Sequence, residues 1–118
     1  MTVNDFYNEI GGDYQEILGR LVTEDRVRRF LFKVLETNDV NLLKEAWSKE
    51  DSSQIFMYAH RLKGIALNLS LDNFAKYTFE LTEQYRGGNV KDKNVANDYY
   101  EKSICEYEFI STKIKEIS

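Results

Sequence analysis

Histidine, cysteine and proline are scarce in this chain. Its 118 residues include one histidine, one cysteine and no proline. A single cysteine excludes an internal disulfide and a zinc site built from cysteines. We expect Cys105, which lies among apolar residues of a late helical segment, to be a buried structural thiol. The absence of proline suits a chain that is helical over nearly all of its length.

Long apolar runs are also absent. No run approaches the roughly 18–20 residues that a membrane-spanning helix needs, so we expect no membrane partner. Residues 1–6 lack the basic start and the apolar stretch of a secretory signal peptide. The expected location is therefore the cytoplasm.

Basic residues do not exceed acidic ones. The chain has 16 lysines and arginines against 20 aspartates and glutamates, a net charge of −4, which argues against nucleic acid as a partner. One segment nevertheless concentrates basic residues, namely Arg26, Arg28, Arg29 and Lys33. Because Glu24 and Asp25 adjoin this segment, we interpret it as a solvated helix face.

Turn residues divide the first third of the chain into helical segments. Gly11 and Gly12 precede a short helix predicted over 13–21, with Asp13 as N-cap and Glu16 in capping-box position. Thr23 is expected to cap the next helix. Asn38 and Asp39 mark a break after it. The apolar positions of that second helix follow helical spacing: Val27, Phe30, Leu31, Val34 and Leu35.

The remaining segments also read as helices. The run Asp51-Ser52-Ser53 opens the segment that carries the histidine, and a tight joint at 70–72 leads into a helix that runs to about Tyr85. Gly87-Gly88-Asn89 ends it, and 92–117 form the last helix. No stretch alternates with period two. We therefore predict one all-α domain over 1–118, a monomer, in which an antiparallel up-down four-helix bundle carries additional short N-terminal helices.

The only histidine, His60, belongs to the helix predicted over 53–69. At about 100° per residue, its side chain points roughly 160° away from the centre of the apolar stripe of that helix. Gly64 points nearly opposite to the stripe. We therefore expect the imidazole to face solvent. The stripe consists of Ile55, Tyr58, Ala59, Leu62, Ile65, Ala66 and Leu69.

Two residues one turn beyond His60 point to a function for it. Lys63 stands at i+3, so its ammonium can reach an anionic group attached to the imidazole. Gly64, at i+4, costs about 1 kcal/mol in a helix interior relative to alanine, and it would give another protein clearance to approach the imidazole. The alternatives are an idle surface histidine and a glycine that is simply tolerated.

An apolar collar surrounds His60 on the outer side of the helix. Phe56, Met57 and Leu67 project there, which is typical of a docking surface. The alternative is that a neighbouring element covers part of the collar, above all Phe56. Arg61 and Asn68 lie at the far edge, where each could contact a partner or simply solubilise the helix.

These residues carry a family resemblance. The run Ala59-His60-Arg61-Leu62-Lys63-Gly64, followed by Ala66, Asn68 and Leu69, resembles the motif of the histidine-containing phosphotransfer (HPt) domain of bacterial phosphorelays. The resemblance extends from about residue 10 to residue 115. Two positions depart from the family pattern: Ile65 replaces a small residue, and Ser70 replaces a glycine. We expect Ile65 to alter packing at the edge of the core. Ser70 must either end the helix without the freedom of glycine or cap the next helix.

The resemblance implies a phosphorelay intermediate. His60 would accept a phosphoryl group from an aspartate of one receiver domain and pass it to another, with Lys63 stabilising charge and Gly64 giving clearance. The partners would be receiver domains of a hybrid histidine kinase or a response regulator. A divalent metal would belong to the receiver, and this chain would bind no cofactor or metal. No glycine-rich ATP loop is present, so we expect a phosphoryl carrier without autonomous kinase activity.

A second reading belongs to a different class of protein. The chain could be a non-transferring helical interaction module that docks receiver domains or other signalling proteins. The presence of His60, Lys63 and Gly64 together argues against that module. A metal or haem site in the bundle is disfavoured, because the lone histidine and the lone cysteine lie on separate helices.

Overall fold

Seven helices account for most of the chain. The structure, a computed structural model, describes all residues from 1 to 118. It is all-helical, as predicted, with no strand. No helix combines the length and the apolar character needed to cross a membrane. The helices are α1 (Val3–Ile10), α2 (Tyr14–Leu21), α3 (Glu24–Val34), α4 (Asp39–Ser48), α5 (Ser52–Asn68), α6 (Asp72–Gln84) and α7 (Lys93–Lys115).

Side-chain caps explain where several helices begin. The carboxylate of Asp13 accepts from the Glu16 backbone N–H, and Thr23 caps α3 in the same way, as predicted. Asp51 caps α5, which begins at Ser52, one residue before the predicted start. Each such cap is worth about 1 kcal/mol. The prediction of a full capping box at Asp13 was wrong, because the Glu16 carboxylate pairs with Arg20 instead.

Helices α4 to α7 form the predicted antiparallel four-helix bundle. Two contacts fix its closure on the side of α7. The Trp47 ring of α4 stacks on Tyr100 with ring centroids 4.2 Å apart. The Tyr107 hydroxyl donates to the Val34 carbonyl at 3.0 Å. Since the chain advances from 34 to 47 while its contacts on α7 retreat from 107 to 100, the stretch that contains α4 runs antiparallel to α7.

The short N-terminal helices close one end of the bundle. Phe6, Tyr7 and Ile10 of α1 are buried in the common core. The terminal amino group of Met1 donates to the Glu116 carbonyl at 3.0 Å, and Lys113 of α7 pairs with Glu9 at 2.8 Å. The start of the chain is thereby joined to its last helix.

Two expectations about the core were wrong. Cys105 is exposed, because α7 turns Ser103, Ile110 and Ile114 inward and a residue two positions after Ser103 lies about 200° around the helix. Phe30 was assigned to the apolar stripe of α3, yet it is 41% exposed. The buried residues of α3 are Val27, Leu31 and Val34, and Phe30 falls at the edge of their face.

The joint between α2 and α3 is a strained turn. Val22 has φ 75° and ψ −45°, and the Thr23 N–H donates to the Leu21 carbonyl at 2.9 Å across it. This is a γ-turn of the rare kind with positive φ, which is costly for a β-branched residue. Val22 is also 68% exposed, so burial does not offset the strain.

Val22→Gly should therefore stabilise the protein. Removing the strain should outweigh the added freedom of the unfolded chain by about 1 kcal/mol. Urea denaturation measures the free energy of unfolding. Val95→Gly, at an exposed helical position of α7, is the matched control and should destabilise by about 0.3–0.5 kcal/mol. Equal losses in both variants would show that the turn is not strained.

Candidate functional site

Helix α5 presents His60 to solvent. Ile55, Ala59, Leu62 and Ala66 are buried on one side of the helix, and His60 is exposed on the other. The expected outward orientation of the imidazole is confirmed. The helical period accounts for it, because a wide apolar stripe held in the core leaves the opposite positions outside.

The imidazole is stacked against Phe56. The two rings lie one turn apart on α5, with centroids 6.0 Å apart and planes 7° from parallel. The guanidinium of Arg86, just beyond α6, lies 5.4 Å from the Phe56 centroid. Phe56 is accordingly half-buried. Phe56 packs against the imidazole and is covered by Arg86, which is the alternative that the sequence left open for this residue. Met57 and Leu67 are exposed.

Helix α6 and Arg86, just after it, bring charged side chains next to Phe56 and Lys63. Arg86 donates to Glu83 through Nε at 3.0 Å and Nη2 at 2.8 Å. The hydrogen bond from Arg86 lowers the pKa of Glu83, and the charge of Lys63 adds to the effect. The Lys63 ammonium lies 5.7 Å from the centroid of Phe79. The Lys63 side chain thus packs against α6, and it lies on the same side of α5 as His60.

Gly64 leaves an open space beside the imidazole. A Cβ built at this position would meet no heavy atom within 4 Å apart from its own helix. No packing within the chain therefore requires glycine here. The position is therefore open on the outer side of the helix, and the clearance for a partner expected from the sequence stays a prediction.

The other collar and edge residues differ in how exposed they are and in whether they are paired within the chain. Met57 is 41% exposed and Leu67 is 54% exposed, and Asn68 is exposed beyond them. Arg61 pairs with the buried Asp39 of α4 at 3.3 Å. Arg61 therefore neutralises a carboxylate between α4 and α5, and its guanidinium is less available to a partner than those of unpaired arginines.

The C-terminus of α5 is held by residues of α1 and α2. Arg20 Nη1 donates to the carbonyls of Leu67 and Asn68, both at 2.9 Å. The buried hydroxyl of Tyr7 donates to the Leu69 carbonyl at 2.7 Å, and burial raises the pKa of Tyr7. Carbonyls that a helix end leaves without partners are thus satisfied by side chains.

Ser70 completes this junction. Its φ is 54°, so it ends α5 in the left-handed conformation that glycine usually takes. The Arg20 Nη2 donates to its hydroxyl at 2.8 Å. Ser70 does not cap α6, whose N-cap is Leu71 without a side-chain hydrogen bond. Gly12 is required nearby, because a Cβ there would lie 2.5 Å from the Ser70 carbonyl oxygen.

Sequence reasoning missed four residues that shape the site. Phe79 of α6 lies under Lys63, and Arg86, just beyond α6, is held by Glu83 and lies over Phe56. Arg20 caps α5. The spacing of Phe79 and Glu83, one turn apart on the next antiparallel helix, is the only signal that could have placed them together. The structure brings together no three histidine, cysteine or carboxylate side chains that could hold a metal ion.

Comparison with known families agrees with this geometry. The family model described as the Hpt domain matches residues 31–106, which is more than half of the chain and includes His60 with its motif. The chain belongs to the Hpt domain family. No curated protein and no solved structure gives a significant match. Membership implies histidine phosphotransfer within a phosphorelay. The matched segment omits α1 and α2.

Removal of the Arg20 guanidinium should loosen the end of α5. Arg20→Ala deletes three hydrogen bonds to this junction, and because the side chain is 41% exposed we expect a loss of only about 1–2 kcal/mol in unfolding free energy. Hydrogen exchange should accelerate in the last turn of α5. Arg26→Ala, at an exposed and unpaired position, is the control and should change stability by less than about 0.5 kcal/mol. Equal effects would contradict the capping role.

Proposed function

We propose that His60 accepts a phosphoryl group from an aspartate of a receiver domain and yields it to a second receiver domain. The observation that supports this most strongly is the combination of an outward imidazole, a lysine on its flank and an empty space at Gly64. The space admits a partner backbone to the nucleophile. An idle surface histidine would need neither the lysine nor the space.

The reaction is an in-line displacement at phosphorus. A lone pair of an unprotonated imidazole nitrogen forms the N–P bond while the bond between phosphorus and the aspartyl oxygen breaks, and the aspartate leaves as a carboxylate. Because that nitrogen already carries the lone pair that attacks phosphorus, no separate base is needed. Nε2 is the outer nitrogen and is the proposed acceptor. The same step in reverse passes the group to the next aspartate.

Charge and position account for most of the catalysis expected here. Lys63 offsets the negative charge of the phosphoryl group as it arrives. Phe56, stacked on the imidazole, limits the directions in which the ring can turn. In this proposal the divalent ion belongs to the receiver domain. The chain itself is a phosphoryl carrier without kinase activity of its own, and it acts in the cytoplasm as a monomer.

Phosphotransfer from a receiver domain labelled with radioactive phosphate tests this directly. The wild type should acquire label that is labile to acid and stable to alkali, and His60→Gln should acquire none. Lys63→Ala should keep its fold and lose about tenfold or more in transfer rate, because one charge that stabilises the transition state is gone. Labelling of His60→Gln equal to that of the wild type would eliminate His60 as the acceptor.

Gly64 offers a second test, in which stability and transfer change in opposite directions. Gly64→Ala fills open space with a better helix former, so it should stabilise the protein by up to about 1 kcal/mol while slowing transfer. Gly64→Gln should block docking. Gly19→Ala is a matched control, since a Cβ there also meets nothing within 4 Å, and it should leave transfer unchanged. Wild-type transfer by Gly64→Gln would remove the clearance argument.

A further inference from the structure

The guanidinium of Arg86 is fixed to the end of α6 by one carboxylate. Its Nε donates to Glu83 Oε1 at 3.0 Å and to Oε2 at 3.2 Å, and its Nη2 donates to Oε1 at 2.8 Å. Gly87 and Gly88 follow directly, with φ 95° and 96°. Because the hydrogen bonds reach back into α6, the helix sets the position of the guanidinium, and the glycine turn after it does not.

This ion pair adds little to the stability of the fold. The side chains of Arg86 and Glu83 are 50% and 31% exposed, and exposed pairs three residues apart on a helix contribute little to the free energy of unfolding. The guanidinium also lies 5.4 Å from the centroid of the Phe56 ring, on the neighbouring helix. A planar group that pairs with a carboxylate and lies over an aromatic ring is a combination that lysine cannot supply.

Phe56 in turn is the contact that orients the imidazole of His60. None of the side-chain hydrogen bonds of the chain includes the imidazole. A reactive histidine is usually oriented by a hydrogen bond to its second ring nitrogen. Here the parallel phenyl ring, 6.0 Å away between centroids, takes that place.

A parallel stack restrains the imidazole in a particular way. Rotation about the Cα–Cβ bond of His60 would separate the two rings, whereas a half-turn about Cβ–Cγ leaves the imidazole in the same plane. Nε2 is one of the two outermost ring atoms after either half-turn. The stack therefore keeps Nε2 at the outer end, and an aromatic pair favours such an arrangement by about two- to tenfold. In-line attack depends on that orientation.

We propose that Arg86 and Glu83 are positioning residues for the phosphoryl transfer at His60. Glu83 fixes the guanidinium of Arg86, the guanidinium restrains the ring of Phe56, and that ring holds the plane of the imidazole. The proposal rests on the proposed function for the reaction. It assigns the orientation of the nucleophile to the end of α6, a different helix from the one that carries the nucleophile.

Nuclear magnetic resonance measures the orientation directly, because the chain has a single histidine. The ring current of Phe56 should displace the signals of the two carbon-bound imidazole protons. Phe56→Leu should abolish this displacement, Phe56→Tyr should retain it, and Arg86→Ala should reduce it. Spectra are recorded on the alkaline plateau of the imidazole titration, so that a change of its charge does not contribute. Unmoved signals in Arg86→Ala would overturn the proposal.

Labelling by phosphoramidate, a small donor that needs no docking surface, measures the effect on the reaction. Phe56→Leu should slow labelling about two- to tenfold. Arg86→Ala should slow it about two- to fivefold, and Arg86→Lys should not restore it. Lys102→Ala is the matched control and should keep the wild-type rate. That lysine, on α7, also pairs with a carboxylate, Asp98, at 3.0 Å and lies 5.2 Å from an aromatic ring, that of Tyr99.

Glu83→Gln separates position from charge, because the two predict opposite signs. Its carboxylate lies close enough to Lys63 for that ammonium to help lower the pKa of Glu83. By charge alone, loss of the carboxylate would favour an anionic donor and speed labelling. If Glu83 acts by holding Arg86, the same change should slow labelling about two- to fivefold, as Arg86→Ala does. Faster labelling of Glu83→Gln would overturn the positioning role.

The two readouts also separate this proposal from the proposed function. Imidazole signals that move as expected in a protein that no donor labels would remove phosphotransfer and leave the orienting contacts supported. Slower labelling of Arg86→Ala with unmoved signals would mean that Arg86 acts on the phosphoryl group by charge, which overturns positioning. A lower urea midpoint in Arg86→Ala than in Lys102→Ala would reassign Arg86 to the fold.

Discussion

The hydrogen bonds at the end of α5 are the constraint on which the rest of the site depends. A helix that ends inside a protein leaves carbonyls that must find donors, and here Arg20 and Tyr7 supply them from α2 and α1. Ser70 takes a left-handed conformation at the same point, where glycine would be easier. Because the helix that carries His60 is held in this way, its position relative to α1 and α2 is fixed. The N-terminal helices, which the family match omits, are therefore part of the structure that orients the imidazole.

Stability and function impose opposite requirements on the outer face of α5. Function as proposed requires an exposed imidazole and an empty position at Gly64, and both weaken a helix. The opposite face compensates, because four buried apolar residues hold α5 against its neighbours. On the outer face, the imidazole is held in place by side chains that are themselves partly exposed. Phe56 stacks on it, Arg86 covers Phe56, and Glu83 holds Arg86. The imidazole is thus packed on the side of Phe56 and open to solvent on the side of Gly64.

Local patterns and distant contacts differed in how well the sequence predicted them. The helical period placed His60 outside, and the caps at Asp13 and Thr23 were recognisable, because each depends on residues within one or two turns. The role of Arg20 was not predictable, since its carbonyl partners lie 47 and 48 residues away in sequence. Phe30 and Cys105 were misplaced for a related reason. Their segments have broad apolar faces, and the packing partner decides which edge of such a face is buried.

A carrier that exchanges its cargo with two partners cannot bind either of them tightly. If His60 both receives and donates the phosphoryl group, each receiver must leave before the next arrives, so affinity must be modest and discrimination must arise in other ways. Electrostatic steering raises association rates without slowing release as much as buried apolar contacts do. The unpaired cations of α3 suit that requirement, since they are exposed and screened by salt. Steering by charge rather than by a large buried apolar contact therefore follows from the need for turnover.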